Sequence, residues 1–233
     1  VGVRKELDEL GHDNGAQTIA FHLERRLGQA PSVSTIWRVL TPRGFVSPQP
    51  HKRPKSSYVR FEADQPNERC QLDITHWALA DGTGVEILNQ IDDHSRLAVA
   101  SDARVTFKAA DVVAAFRRAA ATWGIPAHML SDNGAVFTGI PRHGGRVALE
   151  LELISLGVRL RHSRPYHPQT CGKVERFHQT QKRWLAKQPP AKTLRVLQAQ
   201  LDSFRDYYTT TRPHRALGRH TPLDAFHARP KAT

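Results

Sequence analysis

Residues 70–93, CQLDITHWALADGTGVEILNQIDD, hold two apolar runs separated by a short glycine-bearing segment. CQLDITHWAL reads as a strand, DGTG as a tight turn and VEILNQIDD as the returning strand of a hairpin. Alternation along the first strand puts Asp73 on the same face as Thr75 and Trp77. RLAVASDARV, at 96–105, offers a third strand. A sheet therefore begins here, with a carboxylate in the middle of its first strand. Such a group is costly in apolar surroundings unless something positive meets it.

Downstream of the three strands the periodicity changes. Lys108 to Trp123 is helical, with Asp111 in its first turns, Val112, Ala115, Phe116 and Ala119 on one face, and Gly124-Ile125-Pro126 at its end. AHMLSD (127–132) is a short buried strand, and NGAVFTGIPRHGG (133–145) a glycine-rich loop. VALELELISLG (147–157) reads as a helix, VRLRHS (158–163) as a strand and PYHPQTCG (165–172) as a loop. A helix is expected from Cys171 to about Lys187, and Leu194, Leu197, Leu201, Phe204 and Tyr208 mark an amphipathic helix over 194–208. The order βββαβαβα is that of ribonuclease-H-like folds. By that analogy the expected class is α/β, a ribonuclease-H-like mixed sheet with flanking helices.

Upstream, AQTIAFHLERRL (16–27) and STIWRVL (34–40) read as two short helices joined by GQAPS, with Ser32 or Ser34 starting the second. Helix, tight turn, helix fits either a helix-turn-helix or a plain helical hairpin. PRGFVSPQPHKRPKSSY (42–58) carries four prolines and reads as an extended basic linker.

Lysine and arginine number 34 against 22 acidic residues in the 233-residue chain, a net charge of +12. That excess favours a polyanionic partner, most commonly DNA or RNA. Two cysteines a hundred positions apart form neither a disulfide framework nor a CxxC zinc site. The thirteen histidines include no His pair set with a Cys pair at zinc spacing. The first fifteen residues hold no signal-peptide core, and no run of 18 apolar residues follows, so a soluble intracellular protein is expected. Because it starts with Val1 rather than methionine, a piece upstream is expected.

Three carboxylates in dissimilar settings carry the chemistry: Asp73 in LDITHW, Asp132 ending the strand in SDNGAVFTG, and Glu175 on the helix of KVERFHQTQKRW. Converging carboxylates suit hard divalent cations. In two-metal phosphoryl transfer such acids hold two ions about 3.5–4 Å apart, one for each reacting oxygen. Asp92 and Asp93 compete as ligands, and an Asp before Asn-Gly is ordinarily a turn residue. On the helix, His178, Gln179 and Lys182 lie three, four and seven positions after Glu175, a polar stripe expected to face outward.

Five strings carry a resemblance: LDITHW (72–77), IDDHSR (91–96), SDNGAVFTG (131–139), HSRPYHPQTCGKVERFHQTQKRWL (162–185) and DYYTTTRPHRALGRHTPLDAF (206–226). Together they resemble bacterial insertion-sequence transposases with a retroviral-integrase-type catalytic core, the DDE superfamily. The likeness runs from about residue 60 to 228 and more weakly through the N-terminal helices, with PYHPQTCGKVERFH (165–178) its most specific piece. Asp132 and Glu175 stand 43 positions apart, more than is usual in that superfamily. The excess falls in GIPRHGGRVALELE (139–152).

The resemblance implies a catalytic and metal-binding triad of Asp73, Asp132 and Glu175 with two Mg²⁺ or Mn²⁺ ions. It implies 3′-end cleavage and strand transfer of a mobile element, and a homo-oligomer on DNA that binds element ends and target. Arg164, His167, Arg176, His178 and Lys182 are then expected at phosphates. The expected domains are a helix-turn-helix-like module (1–41), a basic linker (42–60), an integrase-like core (61–190) and a C-terminal helix with a basic tail (191–233). A prokaryotic, nucleoid-associated protein of the cytoplasm is expected, with no membrane partner. Two alternatives stand beside this one: a ribonuclease-H-like nuclease that does not join ends, and a non-catalytic DNA-binding remnant.

Overall fold

In the computed structural model residues 1–46, 62–139, 145–162 and 172–232 are described, and the chain divides into two compact units, Val1–Phe61 and Glu62–Thr233. Arg164, His167, Cys171 and most of the expected linker lie outside the described residues.

The first unit holds helices α1 (Gly2–Glu9), α2 (Ala16–Leu27) and α3 (Val33–Leu40). Ser32 caps α3 by accepting from the Thr35 amide, and Gly28, at φ 72°, ends α2 in the left-handed region that glycine enters most easily. Leu7, Ile19, Ala20, Ile36 and Leu40 form the core. The first helix was not anticipated, because only Val3 and Leu7 face inward from a charged octapeptide.

The second unit is built on a mixed five-stranded sheet in the order β3-β2-β1-β4-β5. Strands β1 (Arg69–Ala78), β2 (Gly84–Asp92) and β3 (Ala98–Arg104) are antiparallel neighbours, and β4 (His128–Ser131) and β5 (Arg159–His162) continue parallel to β1. Helices α4 (Ala109–Trp123) and α5 (Ala148–Ser155) cover one face, where Leu72, Leu88, Met129, Val112, Phe116, Leu149 and Leu153 are buried together. On the other face lie α6 (Gly172–Leu185) and α7 (Leu194–Asp206), whose Val174, Phe177, Leu197, Leu201 and Phe204 meet Ile87, Ile91 and Leu130. Each large apolar side chain removed from water contributes about 1.5–3 kcal/mol, so the two faces together dominate the stability of this unit.

Two features depart from simple periodicity. The amphipathic stripe expected to 208 leaves α-helical form after Asp206, and Tyr207–Thr211 make a wider π turn. That turn seats Tyr208 against Phe177, Phe204 and His214. A short helix α8 (Pro222–His227), begun by a Thr221/Asp224 capping box, buries Phe226 beside Trp123. At the outer edge of the sheet, the Gln198 amide of α7 answers β3 directly. It accepts from the Ala103 amide at 2.9 Å and donates to the Ser101 carbonyl at 2.9 Å.

Candidate active site

Strand register brings the first two carboxylates together. The parallel pairing of β1 and β4 ends at Leu72 opposite Ser131, and Asp73 and Asp132 come next on either strand. Asp132 leaves the sheet in a tight turn, its Oδ1 accepting from the Gly134 amide at 2.9 Å. A Cβ on Gly134 would lie 3.0 Å from that oxygen and 3.3 Å from the Phe137 ring, which is why the turn needs glycine.

Glu175 comes from the first turn of α6 and is exposed. The start of this helix is tied to β1, where the Gln71 Oε1 accepts from the Val174 amide at 3.2 Å. Gln71 also donates to Asp93 Oδ1, and Lys173 donates to Asp93 Oδ2. Asp92 in turn accepts from Ser95 and from the Asn67 amide. Both carboxylates of the IDDHSR stretch are almost fully buried and engaged in holding the fold.

Electrostatics show that the three acids share a neighbourhood. Asp73 is pushed up to about 6, mainly by burial and next by the charge of Asp132; the Ile74 amide opposes this, and Glu175 adds to it. Burial and neighbouring like charge both disfavour the ionised form of a carboxyl. Among the described residues no three His, Cys, Asp or Glu side chains stand close enough to grip an ion as they are. The donor chemistry fits a divalent cation all the same: three oxygen donors whose mutual repulsion a cation would offset.

His178 departs from the expected outward stripe. It is buried, with Nδ1 3.8 Å from Asp73 Oδ2. Burial and then the charge of Lys182 lower it to about 4, so the contact is that of a neutral imidazole and not an ion pair. The cause is the curvature of the helix surface. The i+3 step from Glu175 rotates His178 toward the sheet, while Lys182 at i+7 stays half-exposed and Arg176 is exposed. Among the described residues, then, Asp73 and Asp132 lie on adjacent strands, the charge of Glu175 reaches Asp73, Arg176 and Lys182 are accessible on the same helix as Glu175, and His178 is buried against Asp73.

Sequence reasoning missed the polar residues that hold this arrangement: Gln71, Lys173, Asn89, Gln181 and Glu150. Their signal was present as polar side chains inside apolar strands or helices, but their partners depend on register. Glu150 closes the glycine-rich loop, accepting from Thr138, Gly139 and Val147, while His162 approaches it at 3.9 Å.

Two family models, both described as integrase core domain, match residues 63–168 and 156–222. The fold is similar to the HTLV-2 integrase catalytic core domain in complex with magnesium, in its trimeric form. The identity is 17%, over 71% of this chain and 100% of that one, with a TM-score of 0.56. The dimeric form of the same domain matches at 18% identity over 70% and 98% of the two chains, with a TM-score of 0.54. A simian T-cell lymphotropic virus intasome in complex with PP2A regulatory subunit B56 gamma matches at 17% identity over 99% of this chain and 78% of that chain, with a TM-score of 0.60. Those likenesses establish the fold, and the two family matches, overlapping at 156–168, make residues 63–222 similar to integrase core domains.

Proposed function

We propose that this chain is a DNA transposase of the insertion-sequence kind, cleaving the 3′ ends of a mobile element and joining them to target DNA. The observation that carries the reading is the strand register that sets Asp73 and Asp132 on adjacent strands, with Glu175 on the helix tied to β1 and its charge acting on Asp73. These three residues would hold two Mg²⁺ or Mn²⁺ ions. When bound, such ions polarise phosphoryl oxygens and neutralise charge at an in-line displacement. In the first step a water oxygen would bond to the terminal phosphorus as the bond to the 3′ oxygen breaks; in the second the freed 3′-OH would bond to a target phosphorus as that phosphorus loses its own 3′ oxygen, which leaves as a target 3′-OH.

The chain's own contribution is position and charge. Asp73 and Asp132 are fixed by paired strands, and Glu175 by a helix whose first turn is bound to β1. Arg176 and Lys182 are proposed to hold backbone phosphates beside the scissile one. Arg164 and His167, outside the described residues, are proposed for the same task on motif grounds. His178, buried and neutral, is proposed to brace Asp73 and not to contact phosphate. A homo-oligomer that brings two DNA ends together, and a place on a prokaryotic nucleoid, follow from this reading.

The deciding experiment incubates the protein with labelled terminal-repeat DNA and Mg²⁺ or Mn²⁺. Joined products are the expected outcome. Cleavage without joining would make the chain a nuclease, and binding alone would make it a DNA-binding remnant. Asp132→Asn and Glu175→Gln should each lose cleavage and joining while keeping DNA binding.

A further inference from the structure

We infer that Gln181 is a positioning residue for the acidic site, fixing α6 over Asp73 through a buried amide cluster with Asn89 and Ser101; the inference rests on the function proposed above.

Sheet register makes the case. Asp73 pairs directly with Asn89 on β2, and Asn89 pairs directly with Ser101 on β3. Directly opposed residues share a face, so Asp73, Asn89 and Ser101 form one row across three strands beneath α6. Helix α6 crosses that row with His178 beside Asp73 and Gln181 over the other two. Asn89 and Gln181 are 0% exposed and Ser101 is 1% exposed.

The two amides are paired face to face. Asn89 Nδ2 donates to Gln181 Oε1 at 2.9 Å, and Gln181 Nε2 donates back to Asn89 Oδ1 at 3.2 Å. Gln181 Nε2 also donates to Ser101 Oγ at 2.9 Å, and Ser101 Oγ donates to Asn89 Oδ1 at 2.8 Å. No donor or acceptor in this cluster has water as an alternative, so a shift of the helix breaks bonds that nothing replaces. Phe177, Trp184 and Leu185 of the same helix belong to the apolar core on this face.

Helix α6 is thus held in its first turn, by Gln71 at Val174 and by Lys173 at Asp93, and two turns on by Asn89 and Ser101 at Gln181. Glu175 and His178 lie between them, on the i, i+3, i+6 row that ends in Gln181, about 9 Å from Glu175 along the axis. Sliding α6 by one residue turns its surface by about 100° and carries Glu175 away from Asp73. Gln181 is fully buried, and its hydrogen bonds go to Asn89 and Ser101. It acts through the helix.

The test compares the full-length parent, Gln181→Met, and the double variant Asn89→Gln with Gln181→Asn. Methionine keeps the length without the hydrogen bonds, while the double variant moves one methylene across the pair and keeps both amides. Cleavage of terminal-repeat DNA is measured against DNA and Mg²⁺ concentration, well below the unfolding temperature. Gln181→Met should lower the maximal rate about tenfold and raise the Mg²⁺ needed for half of it, with the half-saturating DNA concentration within about twofold of the parent. The double variant should recover to within about threefold.

A lower unfolding temperature with unchanged maximal rate and Mg²⁺ requirement would reduce Gln181 to an ordinary core contact. Should Gln181→Met not fold, Ser101→Ala, which removes one donor of the cluster, is read the same way with an expected loss of about threefold. If the parent itself cleaves nothing, the proposed function fails, and labelled-histidine spectra at one fixed pH decide the positioning role. His178 ring signals that move in the Gln181 variant and return in the double variant support it; signals that stay in place overturn it.

Discussion

Asp73 shows the conflict between stability and chemistry in a single side chain. Its carboxyl is raised from 3.8 to about 6 in the fold. A folded value above the unfolded one means that the native state holds its proton more tightly, so stability falls as pH rises from about 4 through about 6. At neutral pH the ionised group costs on the order of 2 kcal/mol, most of its side chain being shielded from solvent. Asp73→Asn should therefore raise the unfolding temperature at pH 7.5 by several degrees, lose that advantage near pH 4, and abolish cleavage. Mn²⁺ should stabilise the parent at pH 7.5 and leave this variant unmoved. A variant that melts lower than the parent at pH 7.5 would show that Asp73 is a structural ligand of the sheet. At this scale the three acids stand out in the sequence, each in a motif of its own, and their joint role is the proposal made above. Gln71, Asn89 and Gln181 were not, since a polar residue in an apolar run announces burial but not its partner. His178 was misread because a helical row leans by 60° over three residues, enough to turn a side chain from solvent to core.

Among elements, every strand of the sheet and every helix on its faces was foreseeable from alternation, helical stripes and turn residues. What escaped were α1, α8 and the π turn. The first has two inward apolar residues, the second six residues in all, and the third is set by where Tyr208 must pack. The long spacing between Asp132 and Glu175 has a local explanation. Gly139 and Gly145 meet at the base of the glycine-rich loop, where a Cβ on Gly139 would fall 1.7 Å from the Gly145 carbonyl oxygen. Glu150 accepts from the amides of Gly139 and Val147 on either side of that base. Gly139→Ala must open the base. It is expected to destabilise the protein by about 1–3 kcal/mol and to slow cleavage, with DNA affinity preserved. Thermal unfolding and cleavage rates check this; a variant equal to the parent in both would show that the loop closes without this contact.

For the whole molecule, charge and division into units suggest separate tasks. The net charge of +12 supplies attraction to any DNA, and the three-helix unit is the natural place for preference among sequences. Removing residues 1–46 should abolish discrimination between terminal-repeat and random DNA, while the remaining binding weakens steeply with salt through counterion release. Competition binding across a salt series measures both, and equal discrimination with and without the unit would locate recognition in the integrase core. Assembly is constrained by the Gln198 side chain on β3. An edge strand is ordinarily a template on which a second copy can extend the sheet. Here the amide of one glutamine fills the vacancy at Ser101 and Ala103, mimicking the neighbour that is not there. On the proposed function, copies crowded along one DNA molecule would thereby be kept from zipping together through their backbones at this point, and their association would be left to side-chain surfaces that can be made, released and remade.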